Sequence, residues 1–350
     1  MNKIKAAIVG LGRIASLLED DALREKPCTH AGAIAANKDC FLTAGCDIDE
    51  ERRKIFAKKW AVPVYDNAFE MLCIQAPQIF VIATHPDSHY YYCRLAAECK
   101  VPVIICEKPL ADNVGLARKI SNLSQRQNSP VIITNHERRY SQDYIRAKAV
   151  LEEETLGRLL SVRSVLYMGR NKRLLDVFWH DGTHLADAIM FLANATLKHR
   201  KCWGAKLTDT TGTAWLEGEL HREKPVHSVP ASKETGAGKE QAVPAVIPVI
   251  MEIGAGRDHL VFETEFSCEK GKLRVGNNVF EIWESAPSPY AEQFRSLRQS
   301  GEVFTGPTGY FANMVKDAVA CANDPNRLPI SSAADGLRVI EYLNSVKAWR

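Results

Sequence analysis

The sequence predicts an α/β protein in two parts. An N-terminal Rossmann-type, doubly wound parallel sheet is followed by a C-terminal α+β domain with a mainly antiparallel open sheet. Three observations predict it. Residues 1–134 alternate short β-branched runs with helical segments. The runs are almost continuously apolar, as strands covered on both faces must be. After residue 135 the rhythm changes to several strands in succession, flanked by helices.

In the first part, strands are expected at 4–9, 41–47, 79–84, 103–106 and 131–134, with helices at 30–37, 50–60, 90–98 and 113–127. In the second, a helix at 141–154 leads to a long alternating strand at 159–167 and an apolar-faced helix at 182–192. Further strands are expected at 205–210, 213–220, 246–254, 259–267, 272–275 and 279–283. Helices return at 289–300, 310–322 and 333–347. Segment 223–245, rich in Pro, Gly, Ser and Lys, reads as a long hairpin connection or flap. The expected domains are 1–134 and 135–350, with the last helices able to pack back on the first domain.

A chain of 350 residues is long enough for two separate cores. Its 46% hydrophobic and 25% charged residues are ordinary for a globular protein, and a formal charge of +3 gives no reason to expect a nucleic-acid or membrane partner. The opening residues run into a glycine turn without a cleavage site, so they read as a strand. No apolar run has the length of a membrane span, and a cytoplasmic location is expected. None of the ten cysteines forms a C-x-x-C pair, and most lie in apolar stretches. They read as small buried hydrophobes of a reducing compartment, with no metal site expected.

Gly10-Leu11-Gly12-Arg13-Ile14-Ala15 directly follows the first strand. Such glycines permit a tight turn and close backbone approach, and a following helix N-terminus offers N–H groups to a pyrophosphate. Asp47 ends the second strand, where a carboxylate can accept hydrogen bonds from a ribose diol and repel a 2′-phosphate. NAD is therefore expected over NADP, and Arg52 and Arg53 read as surface residues. Segment 16–29 delays the helix. It reads as an insertion in the first βα unit, either part of a lid near the cofactor mouth or a solvated excursion.

Three further motifs bear on function. Thr84-His85-Pro86-Asp87-Ser88-His89 closes a strand and opens a helix, and Glu107-Lys108-Pro109 closes the next strand. His180-Asp181-Gly182-Thr183-His184 opens a helix in the second domain, with Asp187 three residues on. Together with the glycine turn, these resemble the Gfo/Idh/MocA family of glucose–fructose oxidoreductase and inositol dehydrogenase, over essentially the whole chain.

The resemblance implies a nicotinamide-dependent oxidoreductase acting on a hydroxyl-bearing carbon of a sugar, sugar derivative or cyclitol, and a homodimer or homotetramer. It implies cofactor contacts from Gly10, Gly12, Arg13, Ile14, Asp47, Thr84, His85, His89, Glu107 and Lys108. Lys108 would polarise the reacting oxygen, and His184 would serve as the acid/base, since imidazole titrates near neutral pH. The family commonly has an aspartate four residues before that histidine, where this chain has His180 and an adjacent Asp181. Either could take the polar role, and His180 is expected one helical turn before His184 on a shared face. Arg138 and Arg139, after the last Rossmann strand, are candidates for substrate binding or for ion pairs between domains. Asp181 and His184 are further substrate-binding candidates, and Tyr167, Arg170 and Lys172 are softer ones. Two alternatives stand beside this reading: an enzyme with tightly bound, recycled NAD, and a non-catalytic nucleotide-binding sensor.

Overall fold

The structure, a computed structural model, describes residues 3–125, 129–170, 172–222 and 246–347. The expected flap at 223–245 lies outside them. The chain divides into two compact units, Met1–Ile145 with Thr305–Asn344, and Arg146–Phe304 with Ser345–Arg350.

The first unit runs β1 (Ile4–Val9), α1 (His30–Ala36), β2 (Cys40–Cys46), α2 (Glu50–Trp60), β3 (Val64–Tyr65), α3 (Ala68–Gln75), β4 (Ile79–Ile82), α4 (His89–Glu98), β5 (Val103–Cys106), α5 (Val114–Leu123) and β6 (Val131–Thr134). Helix α6 (Gln142–Glu152) spans the boundary. The second unit holds β7 (Leu159–Tyr167), α7 (Leu174–His180), α8 (Gly182–Ala193), β8 (Thr196–Gly204), β9 (Gly212–His221), β10 (Val246–Ala255), β11 (Val261–Cys268), β12 (Gly271–Gly276), β13 (Val279–Pro287) and β14 (Arg295–Gln299). The chain then returns to the first unit with α9 (Tyr310–Asn323) and most of α10 (Ala333–Lys347).

The first unit's sheet is parallel, in the order β3-β2-β1-β4-β5-β6. Every residue of β4 and β5 is buried, which is why these runs carry no polar alternation. The strand order reverses between β1 and β4, so a crevice opens at their carboxyl ends. Local signals fix the helices around it. Asp49 caps α2 by accepting from the N–H groups of Glu51 and Arg52, acidic residues fill its first turn, and Lys58 and Lys59 its last. Asn67 and Asn113 cap α3 and α5 in the same way. Burial pushes the Cys40 thiol up to about 11 and the Cys46 thiol up to about 12, so both are packing groups at neutral pH.

Segment 16–29 is an insertion spliced into a helix. The turn after Gly12 would be the first turn of α1, and the helix resumes at His30. His30 and Ala31 donate their N–H groups across the splice to the carbonyls of Ile14 and Ala15, at 3.2 and 2.9 Å. The inserted loop is pinned on several sides. Trp60 Nε1 donates to Ser16 Oγ at 2.7 Å, and Lys59 pairs with Asp20 at 2.7 Å. The Glu25 carboxylate accepts from Thr308 N–H at 2.9 Å, Thr308 Oγ1 at 2.8 Å and Gly309 N–H at 2.8 Å, at the start of α9. Although its partial burial acts to raise the Glu25 carboxyl, these donors outweigh it and hold the group below the ordinary range.

The second unit's sheet runs β14-β13-β12-β11-β7-β10-β9-β8. All its pairings are antiparallel except that of β7 with β10. Two expectations fail here. The helix expected at 289–300 is instead edge strand β14, paired with β13, where Arg295 donates to Ser285 Oγ at 2.7 Å and to Ser285 O at 2.9 Å. An available sheet edge overrides local helix propensity. The strand expected at 205–210 is a turn between β8 and β9, with Gly204 and Gly212 at φ values of 96° and 104°. Its Asp209 and Leu207 carbonyls accept the first N–H groups of α7, a helix not anticipated from the sequence. Elements β3, α3 and β8 were also not anticipated.

Candidate functional site

The carboxyl ends of β1, β2, β4, β5 and β6 bring the first group of candidates to one edge. Gly10 has φ 84°, and a Cβ there would lie 2.6 Å from the Ala83 carbonyl oxygen beyond β4, so only glycine fits at this switch point. At Gly12 a Cβ would meet nothing within 4 Å, so the turn faces open space. The N–H groups of Gly12, Arg13 and Ile14 donate to no other group among the described residues. Open space lined by free N–H groups suits a pyrophosphate. The donors belong to the turn rather than to the start of α1, because the insertion has moved that start away and its own N–H groups are taken up by Ile14 and Ala15.

Asp47, 6% exposed, closes this turn from the end of β2. Its Oδ2 accepts Leu11 N–H at 2.7 Å and its Oδ1 accepts Asp49 N–H at 2.9 Å. Each carboxylate oxygen keeps a second lone pair, so the group can still receive a ribose hydroxyl. Arg52 comes within 3.7 Å of Oδ2, and Arg53 donates to the Asp47 carbonyl at 2.8 Å.

At the end of β5 stands Glu107, 7% exposed, with Lys108 beside it at partial exposure and a cis peptide bond to Pro109. Glu107 Oε1 lies 2.7 Å from His30 Nε2 and accepts from Asn135 Nδ2 at 2.6 Å, while Oε2 accepts the Lys108 N–H at 3.2 Å. Burial acts to raise the carboxyl, but the hydrogen bonds from His30 and Asn135 and the Lys108 charge outweigh it and hold Glu107 below the ordinary glutamate range. The turn thus presents a buried carboxylate next to a lysine at the sheet's ligand-binding edge.

Not every candidate in this unit faces a ligand. His89 is wholly buried, with Nδ1 3.2 Å from the Leu110 carbonyl and Nε2 3.1 Å from that of Thr84. Burial keeps the ring neutral, so its single N–H donates to the loop after β4 or to the loop after β5, one at a time. Thr84 Oγ1 accepts from Ser88 Oγ at 2.7 Å, and His85 is exposed. Arg139 is committed to Asp335 at 3.2 Å and to the Ile330 carbonyl at 3.1 Å, within the same unit. These contacts join the segment after β6 to residues 330–335. Arg138 pairs with Glu137 at 3.0 Å and lies over the Tyr144 ring at 6.0 Å.

In the second unit, His180 and His184 belong to different helices. His180 is the exposed last residue of α7, and His184 is half-buried in the first turn of α8. The hydrogen-bond ladder changes over at Asp181. The Thr183 hydroxyl takes the His180 carbonyl at 2.9 Å, and His184 N–H bonds to the Asp181 carbonyl at 3.1 Å. The two histidines thus flank a junction between helices and differ in exposure. Asp181 is partly buried, with Lys172 3.7 Å from its Oδ2, and Asp187 is buried on α8. Gly182 fits the tight passage between the helices, since a Cβ there would lie 2.8 Å from the Phe178 ring. Among the described residues, no group of three or more His, Cys, Asp or Glu side chains is placed to hold a metal, and no helix is long and apolar enough to cross a membrane.

Residues 4–135 match the model of the Gfo/Idh/MocA oxidoreductase family, with its NAD-binding Rossmann fold. The match takes in the first unit's parallel sheet, β1 to β6. Among similar proteins, an inositol 2-dehydrogenase/D-chiro-inositol 3-dehydrogenase from Shouchella clausii is 24% identical over 93% of each chain. An inositol 2-dehydrogenase from Gluconacetobacter diazotrophicus is 28% identical over 37% of each. The matches to the inositol 2-dehydrogenases of Gluconacetobacter diazotrophicus and Salmonella paratyphi B span only 37% and 46% of those proteins' own lengths. An Agrobacterium radiobacter oxidoreductase, solved in complex with NAD+, L-tartaric acid and magnesium, shares the fold at a TM-score of 0.69 and 16% identity. That match covers 100% of this chain and 98% of the other.

Sequence reasoning missed His30 and Asn135 as members of the candidate site. Asn135 directly follows β6, and its position at the end of a strand could have flagged it. His30 offered no local signal, because its role comes from the pairing of α1 with the turn after β5.

Proposed function

We propose that the protein is an NAD-dependent dehydrogenase that moves hydride between nicotinamide and a hydroxyl-bearing carbon of a sugar, sugar derivative or cyclitol. The observation that carries this is the carboxyl edge of the parallel sheet, where an open glycine turn with free N–H groups, Asp47 and the Glu107–Lys108 turn come together. The dehydrogenase names of the relatives support the class of substrate. A bound nicotinamide supplies the hydride acceptor, and the remaining work falls to the chain's own side chains.

Gly12, Arg13 and Ile14 bind the pyrophosphate through their N–H groups. Asp47 accepts from the ribose diol and disfavours a 2′-phosphate, which selects NAD over NADP. The Lys108 ammonium polarises the substrate oxygen and lowers the pKa of the hydroxyl being oxidised. His184 takes the hydroxyl proton, with Asp181 as its polar neighbour in place of the family's aspartate. We also propose self-association through the second unit's sheet, where the Trp203 and Trp215 rings stack at 6.4 Å beside Ile250, 42% exposed. Light scattering on the purified protein decides that point, since a monomer at every concentration would exclude it.

The test of function is NADH formation when protein and NAD meet a panel of cyclitols, free sugars and sugar phosphates. Turnover with one class, lost in Lys108→Met and His184→Gln, is the expected result. Absence of turnover with every panel member, with NAD and with NADP, would overturn the reading.

A further inference from the structure

We propose that His30 is a positioning residue of this site: it donates from Nε2 to Glu107, keeps that carboxylate ionised, and thereby holds Lys108 in place for proton transfer. The inference rests on the dehydrogenase reading above.

The His30 ring is wholly buried, with Phe311 edge-on at 5.0 Å and 86°. Its Nε2 lies 2.7 Å from Glu107 Oε1, and its Nδ1 has no hydrogen-bond partner among the described residues. An imidazolium would leave a buried N–H unsatisfied at Nδ1, whereas the neutral ring leaves only a lone pair there. The proton therefore sits on Nε2 and is donated to Glu107. Glu107 receives two further donors, Asn135 Nδ2 and the Lys108 N–H. Three donors match a carboxylate, while a carboxylic acid must itself donate and would forfeit one of them.

The titratable and charged groups facing Glu107 are His30 of α1, Lys108 on its own turn, His89 of α4, Glu137 after β6 and Cys106 of β5. His30 is in side-chain hydrogen-bond contact with it at 2.7 Å. Without that donor, burial gains on the remaining partners. Glu107 then binds a proton from solvent at higher pH, and Lys108 loses the anion that holds its backbone.

The experiment compares wild type with His30→Leu, which removes the donor, and His30→Gln, whose amide can donate from a similar reach. Infrared spectroscopy across pH reads the carbonyl stretch of a protonated carboxyl, with His30→Leu/Glu107→Gln assigning the band. NADH titration and the pH profile of kcat are measured on the same proteins. We expect His30→Leu to show the band near neutral pH where wild type shows none. Its kcat should fall about tenfold with a smaller change in KM, the size of one lost charge-assisted hydrogen bond. The acid limb of its profile should move to higher pH, and His30→Gln should restore most of all three. A folded His30→Leu protein with no band and the wild-type pH profile overturns the proposal. If circular dichroism finds His30→Leu unfolded, His30→Asn, too short to reach Glu107, replaces it under the same criteria. Wild type without turnover overturns the dehydrogenase reading instead, and the infrared band still decides whether His30 governs Glu107.

Discussion

The two units present their candidate residues by different physical means. In the first, the backbone does most of the work: parallel strands end together, and the turns that follow them must converge on one edge. Gly10, Asp47, Glu107 and Asn135 each sit one residue after a strand, so their grouping follows from strand register alone. In the second, His184 and Asp181 depend on a break between two helices, fixed by the Thr183 hydroxyl and the Gly182–Phe178 packing. A site built by register tolerates changes elsewhere in the sheet, whereas a site built on a helix junction depends on a few side chains.

The largest expected effects separate chemistry from binding. Lys108→Met should lower kcat/KM by about a hundredfold to ten-thousandfold, the range for loss of a positioned acid–base group, with NADH binding retained. His184→Gln should do likewise. If Lys108→Met abolishes NADH binding as well, the lysine belongs to the cofactor cradle more than to the proton path.

A glycine pair sharpens the first side of the comparison. Gly10→Ala forces a Cβ against the Ala83 carbonyl at positive φ and should cost about 2–3 kcal/mol in urea unfolding. Gly12→Ala meets open space and should leave stability within about 1 kcal/mol, yet weaken NADH binding about tenfold by filling the cradle. Equal stability losses at the two positions would contradict the account of the turn.

Asp335→Asn removes the partner of Arg139 and should destabilise the protein by about 3 kcal/mol, as expected for one half of a largely buried ion pair. Burial works to raise Asp335, but the Arg139 charge and the Ser332 hydrogen bonds prevail and hold it below the ordinary aspartate range. Its contribution is therefore present above that range and lost as pH falls through the lowered value, so the variant should show a flatter acid limb in thermal unfolding against pH. The smallest effect is expected at Glu25→Gln. Unlatching the inserted loop from the start of α9 should cost no more than about 1 kcal/mol, because the group is largely solvated. A loss larger than that of Asp335→Asn would make the loop part of the core.

The parallel half was legible because its signals are local. A glycine turn after an apolar run, an acidic residue after the next, and Glu-Lys-Pro after another each announce the end of a strand. What escaped was set by distant partners. The hydrogen bonds from His30 and Ala31 to Ile14 and Ala15 heal the helix across an insertion that the sequence displays only as an interruption. Arg139 pairs with Asp335 in the C-terminal helices, a partner that no local signal announces. Residues 289–300 have helical composition, yet an open strand edge captured Arg295–Gln299. The break at Asp181 was hidden because its backbone stays close to helical while its hydrogen bonds change partner.

The most direct measurement follows the label. The substrate found in the panel is supplied with deuterium on the carbon bearing the reacting hydroxyl, and the NADH formed by wild type and by Lys108→Met is analysed by mass spectrometry. The account predicts deuterium in the NADH from wild type, and NADH binding without label transfer in the variant. Unlabelled NADH from wild type, or label transfer by Lys108→Met at the wild-type rate, would contradict it.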